Sequence, residues 1–132
     1  MTRKDKVENL IHKEERLDDL QCKGYQIIQN PKRFCFGMDA VLLSGFAKVK
    51  KGESVLDLGT GTGIIPILLA AKTEAGHIHA LEIQEESADM AKRSVYYNHL
   101  EDKIEMCCGE GPYLMSRYDV VTERVIPVEE RI

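Results

Sequence analysis

Residues 54–66 limit what this chain can fold into more than any other stretch: Ser54-Val55-Leu56-Asp57-Leu58-Gly59-Thr60-Gly61-Thr62-Gly63-Ile64-Ile65-Pro66. The apolar run over 55–58 reads as a buried strand. Three glycines at alternate positions, Gly59, Gly61 and Gly63, then turn the chain into an apolar, helix-like run over 64–71. Glycine there permits positive φ and lets a ligand approach without a Cβ in the way. The helix that follows aims its unpaired N–H groups into the loop. One strand later comes His77-Ile78-His79-Ala80-Leu81-Glu82, which ends in an acid. An acid at the end of the second strand of a βαβ unit is placed to hold a ribose. A glycine loop with a distal acid describes a site for a nucleoside-containing cofactor.

The dinucleotide fingerprint is G-x-G-x-x-G. Here the third glycine comes one residue early, and Ile64 stands where that fingerprint has glycine. Asp57 also precedes the first glycine by two residues. A pyrophosphate does not call for a neighbouring carboxylate, whereas a sulfonium cofactor with a free amino group does. Two competing readings are a dinucleotide site, and an ordinary tight turn with Asp57 as a helix cap.

The pattern Asp57-Leu58-Gly59-Thr60-Gly61-Thr62-Gly63 with Glu82 resembles the S-adenosylmethionine site of class I methyltransferases. The resemblance extends to Glu15-Arg16-Leu17-Asp18-Asp19-Leu20, Gln29-Asn30-Pro31 and residues 34–43, and to Glu82-Ile83-Gln84, residues 88–95 and Asn98. Over roughly residues 14–106 it is similar to bacterial methyltransferases that modify the exocyclic amino group of adenine in the anticodon loop of a valine tRNA. Such a relationship implies a Rossmann-like α/β fold, S-adenosylmethionine as cofactor and tRNA as acceptor. It implies cofactor-binding roles for Asp57, Gly59, Thr60, Gly61, Gly63 and Glu82, with Ile83 packing on the adenine ring. It also places Glu110 near the adenine amino group and Asp39, with Phe36, in a lid on the cofactor side. For Asp39, Phe36 and Glu110, capping, packing or a solvated turn is an equal alternative; for Ile83 the alternative is a plain core position, and for Glu82 a helix cap or surface residue.

The chain departs from that family after its fourth core strand. Members carry Asn-Pro-Pro-Tyr there, gripping the amino group to be methylated. Here Tyr118-Asp119-Val120-Val121-Thr122 is followed by Glu123-Arg124-Val125-Ile126-Pro127. Gly111-Pro112-Tyr113 precedes the strand and lacks the Asn, so no catalytic residue is assigned. A flipped base needs an aromatic partner, for which Tyr113 and Tyr118 are the nearby candidates. The resemblance also implies three more strands, so the chain reads as the first half of the fold. A catalytically inactive cofactor-binding fragment or interaction module is therefore an alternative function. A nucleotide-dependent oxidoreductase is a further one.

A length of 132 residues with 43% hydrophobic content suits one domain. A net charge of −4 excludes a chain that binds nucleic acid by overall charge. Cys22, Cys35, Cys107 and Cys108 show no metal-ligand spacing, so no metal is expected, and the adjacent pair reads as buried free thiols. The polar amino terminus and the lack of an 18-residue apolar stretch suggest a cytoplasmic protein away from membranes.

The expected elements are an amphipathic helix over 1–13, and extended pieces, pictured as a hairpin, at 25–29 and 34–36. A helix over 39–48 follows. Strands at 53–58, 77–82, 103–108 and 118–122 alternate with helices at 63–73 and 85–98. This organisation divides the chain into an amino-terminal extension, 1–38, and a Rossmann-like unit, 39–132, with a parallel sheet ordered 3-2-1-4. The fourth strand, lacking its further neighbours, is expected to pair a homodimer through its open edge or to aggregate, the alternative being that residues 124–128 fold back to cover it.

Overall fold

The computed structural model describes residues 10–32, 44–45, 47–109 and 118–123. A two-stranded hairpin comes first, β1 (Arg16–Asp19) and β2 (Gln26–Gln29). Then follow β3 (Ser54–Leu58), α1 (Ile64–Lys72), β4 (His77–Glu82), α2 (Glu85–Tyr97), β5 (Ile104–Cys108) and β6 (Val120–Glu123). The last four strands form a parallel sheet in the order β5-β4-β3-β6. This is the Rossmann-like order expected from the sequence, and it places the first strand of the βαβ unit in the interior.

Each core element follows from its residues. In α1 the eight residues 64–71 are all buried, as a helix that is apolar on every side must be. Pro66 is harmless because it sits in the first turn, where its missing N–H has no partner to lose. Thr73 ends α1, its N–H and hydroxyl both donating to the Leu69 carbonyl at 2.9 and 2.6 Å. Glu85 and Glu86 occupy the positive first turn of α2. Ala88, Ala91 and Val95 recur on its buried face. On the sheet, Val55, Ile78 and Ile104 meet α1 in one core with Ile64, Ile67 and Leu69. On the strands' other face, β4 and β5 present half-buried His77, His79 and Cys107 and exposed Glu105.

The amino-terminal hairpin differs from expectation. Its second strand lies where the sequence placed it, but its partner is Arg16–Asp19, in antiparallel register Leu17 to Ile28. Residues 34–36 lie outside the described residues, as do residues 1–9 of the expected first helix and most of 39–48; of the latter, Ser44 and Gly45 are helical and residues 47–50 are not. The hairpin docks on α2 through side chains rather than another strand. Asn98 accepts from the Gln26 N–H at 2.9 Å and donates to the Gln26 carbonyl at 2.6 Å. The Ile28 N–H donates to the Ser94 hydroxyl at 2.9 Å. These contacts satisfy a strand edge that would otherwise be buried unpaired.

An ion pair anchors the same junction. The Arg93 guanidinium spans both carboxylate oxygens of Glu15, with Nη2 to Oε2 at 2.7 Å. Its Nε also donates to Asp89 at 2.9 Å and its Nη1 to the Leu10 carbonyl at 2.6 Å. The hydrogen bond from Arg93 holds the Glu15 carboxyl below its ordinary pKa against the opposing effect of burial, and Glu15 in turn raises that of Arg93.

Cys107 and Cys108 correct the expectation of buried thiols. Both are free, with Cys107 half-buried and Cys108 exposed. The reason is their place at the end of β5, which stands at an edge of the sheet.

Candidate functional site

The glycine loop connects the carboxyl end of β3 to α1. Gly59, Gly61 and Gly63 all have positive φ, at 70°, 61° and 91°. The loop is tied to the neighbouring strand, because the Gly59 and Thr60 N–H groups both donate to the Leu81 carbonyl, at 2.9 and 3.0 Å. Glu82, the next residue, completes the junction. Its Oε1 accepts from the Gly61 N–H at 2.8 Å and its Oε2 from the Gln84 N–H at 2.9 Å. The acid therefore pins the loop and the entry to α2 together. An ionised carboxylate offers about four acceptor positions, so this leaves acceptor capacity on Glu82, which is 7% exposed.

Asp57 is fully buried, opposite Thr122 on β6, whose hydroxyl donates to it at 2.7 Å. It is not a cap of α1: the N-cap is Gly63, without a side-chain cap bond. The hydroxyls of Thr60 and Thr62 are buried with no hydrogen-bond partner among the described residues. Unsatisfied buried hydroxyls are costly, and two of them flanking Gly61 fit a loop that awaits a polar ligand. Ile83 is 58% exposed just beyond Glu82. The structure thus brings Asp57, the three glycines, Thr60, Glu82 and Ile83 to the carboxyl ends of β3 and β4, where open α/β sheets bind ligands. Thr62 joins them, a residue that sequence reasoning left out although its alternation with Thr60 is visible in the loop. Asp39, Phe36, Glu110 and Tyr113 lie outside the described residues.

Tyr118 is not part of this constellation. It precedes β6, whose parallel register sets Val120 beside Val55, so its backbone lies at the amino end of the sheet. Its hydroxyl reaches the His79 Nδ1 instead. That position rules it out as the stacking partner suggested by the sequence.

Gly63 has a second constraint. A Cβ on it would lie 3.2 Å from the Ala91 Cβ of α2, at a φ of +91°. Gly63→Ala is expected to lower stability by about 2 kcal/mol, from left-handed strain plus crowding. The urea midpoint should fall with an unchanged slope; an unchanged midpoint would show that the loop can relax.

A sequence profile described as a methyltransferase domain matches residues 41–126. The chain belongs to the methyltransferase domain family. A tRNA1(Val) (adenine(37)-N6)-methyltransferase of Bacteroides thetaiotaomicron is 36% identical over 104 residues, covering 76% of this chain and 44% of that protein. A protein of the same name from Flavobacterium johnsoniae is 42% identical over 72 residues, covering 54% and 31% respectively. This methyltransferase domain therefore spans less than half the length of those two relatives. Among solved structures, an S-adenosylmethionine-dependent methyltransferase from Aquifex aeolicus aligns with a TM-score of 0.52 at 28% identity, covering 64% of this chain and 47% of that one. Methanocaldococcus jannaschii Trm5 in complex with adenosine aligns at 0.58 with 20% identity, covering 75% and 30%; this last likeness concerns the fold alone. No described helix of the domain is long and apolar enough to cross a membrane.

Proposed function

We infer that this chain is the cofactor-binding half of an S-adenosylmethionine-dependent methyltransferase that acts on an adenine amino group in tRNA. The observation that carries the reading is the junction of Glu82 with the glycine loop, with Asp57 buried beside it. The cofactor would bring a methyl group already activated on a sulfonium, so positioning rather than acid–base chemistry does most of what remains. In this reading the residual acceptor positions of Glu82 take the ribose hydroxyls. Asp57 faces the amino group of the methionine part, Thr60 and Thr62 supply hydroxyls, and Ile83 covers one side of the adenine. The named relatives support a tRNA acceptor.

Calorimetry is expected to give a micromolar dissociation constant for S-adenosylmethionine, about 8 kcal/mol of binding free energy, and no comparable binding of NAD. Binding of NAD alone would overturn the reading in favour of an oxidoreductase.

One observation favours a second reading. No Asn-Pro-Pro-Tyr follows β6, where Arg124-Val125-Ile126-Pro127 stand instead. A chain that binds the cofactor but transfers no labelled methyl group to unmodified tRNA would be an inert binding fragment. Transfer to an adenine amino group would exclude that alternative.

A further inference from the structure

Away from the cofactor loop, on the opposite face of the sheet, three side chains with ligand chemistry converge. His77 and His79 are two residues apart on β4, so the strand's alternation sends both to one side. Glu105 of β5 is the register partner of His79. The His79 Nε2 lies 2.7 Å and the His77 Nε2 3.7 Å from Glu105 Oε2. One ligand atom from each of the three side chains falls within 4.8 Å of the other two. The imidazoles meet edge to face with centroids 4.5 Å apart.

We propose that His77, His79 and Glu105 form a binding site for a divalent transition-metal ion, with zinc the best fit to the ligand set. Two imidazoles and a carboxylate are the donors of three-ligand zinc sites that keep one position open. Ligand–metal distances of about 2.0–2.2 Å set tetrahedral ligand separations of about 3.3–3.6 Å. The 3.7 Å pair is already close to that span. The His79–Glu105 pair must open by under 1 Å, a small rotation for a glutamate that is 58% exposed.

Tyr118 supplies the outer contact such sites use. Its hydroxyl is hydrogen-bonded to the His79 Nδ1. If Nδ1–H donates to the tyrosine oxygen, Nε2 presents its lone pair to the ion and the ring is held in orientation. The ion would then clamp β4 to the edge strand β5 and, through Tyr118, to the segment entering β6. The cysteine spacing that argued against a metal does not bear on this set, which contains no thiol.

The test is titration of the tag-free, chelator-stripped chain with Zn2+ by calorimetry and with Co2+ by its ligand-field absorption. His77 and Glu105 are 44% and 58% exposed, so His77→Ala and Glu105→Gln should keep the fold, as circular dichroism would confirm. Each is expected to weaken Zn2+ binding at least tenfold. Tyr118→Phe should weaken it less, by up to tenfold. A Cys107→Ala, Cys108→Ala double variant should bind as the parent does, and the Co2+ complex should show no thiolate charge-transfer band. The proposal fails if the parent chain does not bind Zn2+ at a hundred micromolar. It fails equally if the histidine and glutamate variants bind undiminished, or if binding follows the cysteines.

Discussion

Replacing Glu15 by glutamine is expected to lower stability at neutral pH by about 3 kcal/mol, the scale for stranding one partner of a buried ion pair. Both side chains are well buried, at 6% for Glu15 and 10% for Arg93. Asp89 and the Leu10 carbonyl would still bond the guanidinium, so the loss should stop short of unfolding. The pH dependence gives the sharper reading. Glu15 has a lowered folded pKa because Arg93 hydrogen-bonds its charged form. Its contribution is therefore fully present above the ordinary carboxylate value of about 4.3 and is lost as pH falls through the lower folded value. Urea melts of the parent and Glu15→Gln should differ by a constant amount near neutrality and converge in acid. A difference that persists undiminished at the lowest pH would mean the glutamine variant fails for a packing reason.

The second large effect concerns Glu82. Two ribose hydroxyls donating to a carboxylate would make charge-assisted bonds worth about 1.5–3 kcal/mol each. Glu82→Gln should weaken S-adenosylmethionine binding at least tenfold. The structure adds a cost that the sequence did not show. Both carboxylate oxygens accept backbone N–H groups, from Gly61 and Gln84. The glutamine NH2 would face one of those donors, and Glu82→Ala would leave both without an acceptor. A stability loss of about 1–2 kcal/mol should therefore accompany the affinity loss. Calorimetry alongside thermal melts separates the two. A folded variant with an unchanged dissociation constant would remove Glu82 from the ribose.

The βαβ unit was legible because its signals are local. The apolar run before Gly59, the alternating glycines and the acid closing β4 all fall within residues 55–82, and each edge moved by only a residue or so. β1 was not legible. Arg-Leu-Asp-Asp carries no strand signature, and those four residues are extended because Gln26–Gln29 is held on α2 by Asn98 and Ser94. The Arg93–Glu15 pair and the meeting of Glu105 with His77 and His79 were invisible for the same reason: Glu15 is distant in sequence from Arg93, as Glu105 is from the two histidines, and only docking or register brings them together. Thr60 and Thr62 could be read as loop residues, but not that their hydroxyls would be buried.

The alternation along β4 has a consequence for how the sheet can misassemble. His77, His79 and Leu81 share one side, and Ile78, Ala80 and Glu82 the other. A slip of β4 by a single residue would exchange the two sets completely. It would press two imidazoles against the apolar surface of α1 and α2 while turning Ile78 to water and carrying Glu82 away from the Gly61 N–H. Parallel neighbours offer evenly spaced hydrogen bonds in either position, so the backbone alone would not forbid this. The histidines make the wrong alignment expensive, and the strand that carries Glu82 is thereby held to the one placement in which its carboxylate meets the Gly61 N–H.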